Sequence, residues 1–416
     1  MKKRMKLLAL VLGCSILGCA CTNTMNSGPG SSNKPTTNNS ADKNQSKLDA
    51  IRPDAYGNVM DLNLEPGSYI SIIGRYDDNS YWEEVEAGAK RAVSDINEML
   101  GYEGDNKIKL SFCSPDVADD VNEQISILDE ELARYPIAIG ISSIDASACM
   151  VQFDLATENS IPIVTFDSGS NYANIAAHIS TDNVEAAQTA ATKLAELMDN
   201  TGEILIITQD SHSTTAKQRT EAFTEQLSSI KDITIIDTYA LDQKSSIAKE
   251  VVLSEYNTTD DTDLESNTQS DDSENDITSA TLPSDAELAT KISSMTQKNV
   301  IKYLITKNPN LKAIYATNLD TTLLVGEVVK NLEKNKEIDK DLLIVGFDGG
   351  DQTVKLLENG TIDGLIIQNP YGMGYATVVA AARKVLELPN EAFVDSGYIW
   401  TTKELLSTPD VQKMLY

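Results

Sequence analysis

Histidine is almost missing from this chain: His178 and His212 are the whole supply in 416 residues. A His-rich metal cage or a His-based catalytic triad therefore has little to be built from, although chemistry by carboxylates alone stays open. Positive charge is scarce as well. Lys plus Arg number 34 against 63 Asp plus Glu, a formal net charge of −29, and the resulting field repels phosphate backbones and anionic headgroups. Nucleic acid is a poor partner. Apolar runs are short, and none approaches the roughly 20 residues that a membrane-spanning helix needs. What is present has an ordinary balance, 41% hydrophobic and 23% charged, which excludes a wholly disordered chain or a polytopic membrane protein. At roughly 150 residues per domain the length predicts two or three domains.

The amino-terminal region carries its own signal. Met1 to Arg4 and Lys6 form a positive stretch, followed by an apolar run from Leu7 to Leu17, the pattern of an export signal. It ends Ile16-Leu17-Gly18-Cys19, which resembles a bacterial lipobox and predicts a signal peptide over 1–18 with Cys19 as the lipid-attachment residue. Cys14 and Cys21 compete less well, since Cys14 leaves a very short apolar run and Cys21 lacks an aliphatic residue three positions before it. An ordinary secretory signal with an incidental cysteine is the alternative. Residues 19–65 are expected to form a lipid-anchored flexible tether, because Thr22 to about Lys47 is rich in Ser, Thr, Asn, Gly and Pro and has little apolar surface to offset ordering. Of the five cysteines only Cys113 and Cys149 lie in the body; they could pair in an oxidising compartment, but two buried free thiols is the reading adopted.

From about residue 66, β-branched runs alternate with amphipathic stretches, the pattern of a parallel sheet flanked by helices. Strands are expected at Tyr69–Gly74, Ile108–Cys113, Ile137–Ile141, Ile161–Phe166, Glu203–Thr208, Ile233–Tyr239, Ala313–Ala316, Leu342–Phe347 and Gly364–Ile367. Trp82, Val85, Ala89, Ala92, Val93, Ile96 and Leu100 recur at helical period, as do Ala187, Ala190, Ala191, Leu194 and Leu197. The stretch from Glu255 to Ser284 breaks this rhythm, being polar and acidic without Lys or Arg, and predicts a disordered, solvated insertion over about 255–284. It lacks the register of a calcium loop.

Polar and aromatic residues collect where the strand runs end, the place at which an open α/β sheet binds ligands. After the first strand comes Asp77-Asp78-Asn79-Ser80-Tyr81-Trp82; later strands are followed by Asp167 and Ser168, by Thr317 and Asn318, and by Asp348. Adjacent aromatics suit the flat face of a pyranose ring, and carboxylates and amides suit its hydroxyls. The plainer alternatives are that Trp82 packs against the sheet and that the polar residues cap loops.

Four segments in order, Ile161-Pro-Ile-Val-Thr-Phe-Asp167, His178-Ile-Ser-Thr-Asp-Asn183, Val345-Gly-Phe-Asp348 and Gln368-Asn-Pro-Tyr-Gly-Met-Gly374, resemble the periplasmic sugar-binding proteins of the ribose/galactose-binding type, a fold shared with the ligand domain of LacI-type repressors. The similarity covers roughly residues 66 to 405. It implies an α/β architecture of two Rossmann-like lobes, a type I periplasmic binding protein, joined by three hinge crossings and closing on one monosaccharide. The implied first lobe is 66–181 plus 370–397 and the second 182–369 plus 398–416, with crossings near Ser180–Asn183, Gln368–Pro370 and Ser396–Trp400. By motif, the resemblance assigns ligand contact to Asn79, Tyr81, Trp82, Asp167, Asn318, Asp348 and Gln368. Where the family has Arg after the acidic residue this chain has Ser168; the sugar-contacting Arg falls on Lys217, with Arg219 nearby; Ser142 stands at a usual Asn position. Lys is a point donor where Arg gives a planar fork, so these departures weigh against a pentose.

The function implied is capture of a monosaccharide or similar small polyol, without chemistry or cofactor, and its delivery to the permease of an ABC importer from the extracytoplasmic face of the membrane. A sensor presenting sugar occupancy to a membrane histidine kinase or chemoreceptor would share the same cleft. A hydrolase using Asp167 and Asp348 as acid and base is a third reading, disfavoured by the order of motifs. A repressor is excluded, since an export signal stands where a helix-turn-helix would.

Overall fold

The computed structural model describes residues 38–76, 79–262, 284–338 and 341–416. The signal peptide, Cys19, Asp77, Asp78 and most of the acidic insertion lie outside the described residues. In chain order the strands are β1 (Tyr69–Ile73), β2 (Lys109–Cys113), β3 (Ala138–Ile141), β4 (Ile163–Phe166), β5 (His178–Ser180), β6 (Gly202–Thr208), β7 (Ile233–Ala240), β8 (Leu311–Ala316), β9 (Leu343–Phe347), β10 (Gly364–Gln368), β11 (Phe393–Asp395) and β12 (Tyr398–Thr401). They form two six-stranded sheets, ordered β11-β5-β4-β3-β1-β2 and β12-β10-β9-β8-β6-β7. All pairings are parallel except β10 with β12. The orders match position for position, so each lobe is the same doubly wound design. Parallel strands buried on both faces read as continuous Ile/Val/Leu runs, which makes seven inner strands legible in sequence; with the edge strands β2 and β7, nine of the twelve are expected there.

The chain changes sheet three times: after β5 into helix Asn183–Leu197, after β10 into helix Pro370–Val385, and between β11 and β12. The first lobe is cored by helices Ser80–Leu100 and Pro370–Val385 packed on its sheet. These two helices meet backbone to backbone. A Cβ on Gly88 would lie 1.9 Å from Tyr371 O, and one on Gly374 would lie 1.9 Å from Val85 O, so only glycine admits the approach. The second lobe has one core cluster centred on Val300, Leu304 and Val329 and another centred on Ala187, Ala190 and Phe223.

Three expectations change here. The supposed tether is folded from residue 43 onward: Leu48, Ile51, Tyr56, Leu62 and Leu64 are buried in the first lobe's core, and Arg52 pairs its backbone with Asp395. The physical reason is that five well-spaced apolar side chains offset the ordering of a polar segment. Within the supposed disordered insertion, helix Lys244–Thr262 continues to residue 262 and helix Asp285–Ser294 starts just beyond it, capped by Ser284; the residues between lie outside the described residues. Cys113 and Cys149 are both free thiols, pushed up to about 11 by burial, but Cys113 is only half-buried.

Candidate cleft between the lobes

The carboxyl ends of both sheets face one cavity of about 70 Å³, several times the ~10–15 Å³ that one water occupies on this measure. Its wall is made by Arg75, Asn79, Tyr81, Trp82 and Asp167 from the first lobe and by Gln209, Arg219, Asn318, Asp348 and Gln368 from the second, with Asp119 and Asp320 also on it.

Each lobe builds its half in the same way. Asp167 follows β4 and Asp348 follows β9, with φ of 52° and 78°. Their backbone N–H groups still bond the neighbouring strand, Asp167 N to Ile179 O at 2.9 Å and Asp348 N to Ile366 O at 2.7 Å, after which a left-handed residue turns the chain. Asp tolerates that conformation better than a β-branched residue. Asn79 and Asn318 cap the helices that follow β1 and β8, their Oδ1 atoms accepting from Tyr81 N and Trp82 N and from Thr321 N. Capping uses the oxygen, which leaves each amide nitrogen as the group offered to a guest.

The carboxylates are held by aimed donors. Asp167 accepts from Tyr81 Oη (2.9 Å) and Ser142 Oγ (2.9 Å). Asp348 Oδ1 accepts from Gln368 Nε2 (2.9 Å) and Tyr416 Oη (2.8 Å), and its Oδ2 has no donor among the described residues. Burial pushes the Asp348 carboxyl above the usual range; Arg219, Gln368 and Tyr416 oppose that shift. Trp82 packs edge-on against Tyr81 (5.2 Å) and Phe166 (6.3 Å), so core packing and cavity lining are both true of it.

Arg219 ties the hinge together. Its Nε, Nη1 and Nη2 each donate at 2.7 Å, to Asn183 Oδ1 at the first crossing, Thr317 O at the end of β8 and Gln368 Oε1 at the second crossing, and its guanidinium lies 4.3 Å over the Phe347 ring. Across the cleft, Arg75 Nη2 of the first lobe pairs with Asp210 Oδ2 of the second at 3.0 Å, both side chains buried, and Arg75 also pairs with Asp119. Burial alone would raise the Asp210 carboxyl, but Arg75 and the Ser213 N–H outweigh it and hold the group below the usual range. Thr214 Oγ1 accepts from Gly169 N at 2.7 Å, and Leu319 packs into the first lobe's core. The lobes are closed on each other.

Seven of the ten expected ligand-contact residues lie on this wall: Asn79, Tyr81, Trp82, Asp167, Asn318, Asp348 and Gln368. Ser142, Ser168 and Lys217 do not. Ser142 sits behind Asp167 with its hydroxyl spent on that carboxylate, because a short side chain at the end of β3 cannot reach past it. Ser168 is buried between Ser142 and Thr214. Lys217 is exposed and reaches back to His212 O, since it lies two residues before Arg219 on helix Thr214–Leu227 and so on another face; the wall position belongs to Arg219. Sequence reasoning missed Arg75, which the rule of strand ends would have found directly after β1, and Tyr416, for which no local signal exists. Among the described residues no cluster of His, Cys, Asp and Glu is placed to hold a metal ion, and no helix is long and apolar enough to cross a membrane.

The model of the periplasmic binding protein domain matches residues 70–269 and 276–387. A ribose import binding protein from Haemophilus influenzae is 21% identical over 304 residues, 73% of this chain and 81% of that protein. A solved carbohydrate transporter solute-binding protein from Agrobacterium radiobacter, in complex with D-arabinose, is 26% identical with a TM-score of 0.63 over 84% of this chain and 99% of that one. An ABC transporter solute-binding protein from Agrobacterium vitis with bound D-fucose superposes with a TM-score of 0.64 at 19% identity, over 84% of this chain and all of that one. Paired lobes of matching strand order, crossed three times and closed over one polar cavity, together with a match across most of the body, place the chain in the periplasmic binding protein domain family, whose members bind solutes and are not enzymes.

Proposed function

We propose that the protein captures a neutral monosaccharide or similar small polyol between its lobes and passes it, unaltered, to the permease of an ABC importer. It does so on the extracytoplasmic face of the membrane, anchored by a lipid on Cys19. The observation that carries this reading is the facing pair Asp167 and Asp348, each fixed by aimed donors at a strand end of opposite lobes, with Trp82 and two capping Asn residues on the same wall. Carboxylates accept sugar hydroxyls, Asn amides donate to them, and an indole suits the C–H face of a ring. Arg219 spends three of its donors within the protein and Arg75 is paired with two carboxylates, while Asp119, Asp167, Asp320 and Asp348 line the same wall, a charge balance that favours a neutral guest over a phosphate or uronate. The ribose, arabinose and fucose named for the relatives support the neutral sugar class.

Thermal unfolding in a panel of monosaccharides tests this. A sugar present at a hundred times its Kd should add about 2.7 kcal/mol of stability, glucuronate and sugar phosphates should add nothing, and Trp82→Ala should abolish the effect. If no neutral monosaccharide or polyol moves the midpoint, the reading is wrong.

A further inference from the structure

The family match begins at residue 70, yet the segment before it is seated on the hinge. Lys47 O accepts from Asn369 Nδ2 at 2.7 Å, and the same amide nitrogen donates to Ser396 O at 2.7 Å, joining the segment to two of the three crossings. The Lys47 side chain is 1% exposed and pairs with Glu84 of helix Ser80–Leu100. Its ammonium lies 5.5 Å from the ring centroid of Tyr371 and 6.0 Å from that of Tyr416. Tyr416 belongs to the second lobe's tail. Its N–H bonds Gly349 O at 3.1 Å, its ring meets that of Tyr81 edge-on at 6.3 Å, and its hydroxyl donates to Asp348 Oδ1. A buried cation held at two aromatic rings orders both, and the contact between Tyr81 and Tyr416 spans the lobes.

We infer that Tyr416, steadied by Lys47, is a positioning residue for ligand capture: it holds one oxygen of Asp348 so that the other is offered to the guest, and it couples that carboxylate to the segment packed on the hinge. The inference rests on the capture reading for its ligand. Its geometry stands on this chain alone. The groups facing Asp348 are Arg219 from helix Thr214–Leu227, Gln368 from β10, Tyr416 from the tail, Tyr81 from helix Ser80–Leu100, Asp167 from the opposite lobe and Asp320 from helix Leu319–Lys334. Of the two groups that donate to the Asp348 carboxylate, Gln368 is tied to the crossings by Thr181 and Arg219, whereas the Tyr416 hydroxyl is removable without breaking those bonds.

The experiment uses the whole protein with D-ribose, D-arabinose and D-fucose as probes, comparing wild type with Tyr416→Phe and Lys47→Met. Tyr416→Phe should weaken the tightest probe about tenfold, the size of one hydrogen bond to a charged acceptor. It should move the acid limb of binding to higher pH, because Asp348 loses a donor that favours its ionised form, and it should lower the melting point of the free protein by no more than the loss of one hydrogen bond accounts for. Lys47→Met should weaken binding about threefold and remove the sugar-dependent hydrogen-exchange protection of residues 43–52 expected of wild type. Independently of any sugar, carboxyl NMR of the free protein should show Asp348 titrating at higher pH in Tyr416→Phe. A wild-type affinity and pH limb in that variant overturns the inference, as does an unshifted Asp348 titration. A shifted titration without binding of any probe supports the positioning role while sinking the capture reading.

Discussion

Asp167 and Asp348 are two answers to one problem. Both end a central strand, both are left-handed, and both take a tyrosine hydroxyl. Their second donors differ. Asp167 leans on Ser142 of the adjacent strand end, a support confined to one lobe, whereas Asp348 leans on Gln368, which Arg219 and Thr181 hold at the crossings. A duplicated fold thus places two equal acceptors, but they meet the hinge differently: the Asp348 carboxylate is bonded by Gln368 of the second crossing, whereas Asp167 meets the first crossing through its backbone carbonyl, which accepts from Ser180 Oγ at 3.0 Å. The carboxylate of Asp348, unlike that of Asp167, therefore shares a side-chain donor with the Arg219 network.

The sharpest way to break that asymmetry is to cut each support. Arg219→Met leaves Asn183 Oδ1, Thr317 O and Gln368 Oε1 buried without their donor and should cost on the order of 3–5 kcal/mol, read by urea unfolding. Ser142→Ala removes the donor to Asp167 and the acceptor of Ser168 N–H, both within one lobe, and should cost about 2 kcal/mol. Equal losses would dissolve the distinction. Next in size, Asp348→Asn and Asp167→Asn should each lower sugar affinity by about ten- to a hundredfold. In small-angle scattering with saturating sugar, the first should also leave more of the protein open, as the Asp348 carboxylate is the one bonded to Gln368 of the Arg219 network.

Protonation sharpens the comparison further. Asp348 has a folded-state pKa raised above its unfolded value, so its contribution to stability is fully present below the unfolded value and is lost as pH rises through the folded one. Asp210 has the opposite sign: its folded value is lowered, chiefly by Arg75 against the cost of burial, so its contribution is present above the unfolded value and lost as pH falls through the folded one. Unfolding measured from pH 3 to 7 should show Asp348→Asn removing the first trend and Asp210→Asn the second. Identical pH profiles for both variants would contradict these environments. The smallest effect belongs to Lys217→Ala, which should leave affinity within about twofold because an exposed, off-cavity lysine contributes little.

Of the nine legible strands, seven are largely buried apolar runs; β2 and β7, at the sheet edges, are only partly buried. The three missed, β5, β11 and β12, are three or four residues long and lie at the crossings, where lobe-to-lobe geometry rather than local hydrophobicity makes them strands. The site divides along the same line. Asp167, Asn318 and Asp348 sit at strand ends and were found by that rule. Choosing Arg219 over Lys217 depends on the rotation of helix Thr214–Leu227, and seating Ser142 behind Asp167 depends on which side chain lies in front. The packed segment 43–65 was misread for a related cause: its five apolar anchors are spread too thinly to show a period.

By itself the sequence determined the alternation of strands and helices, the export-type leader as an expectation, the acidic balance and the strand ends at which polar residues gather, because burial pattern and turn chemistry act over a few residues. The tertiary structure alone decided that the opposed carboxylates share one cavity, that Arg219 spans two crossings, and that Lys47 and Tyr416, 369 positions apart in the numbering, meet beside Asp348. Such contacts join segments distant in the chain, and their energy exists only after both lobes have folded and closed.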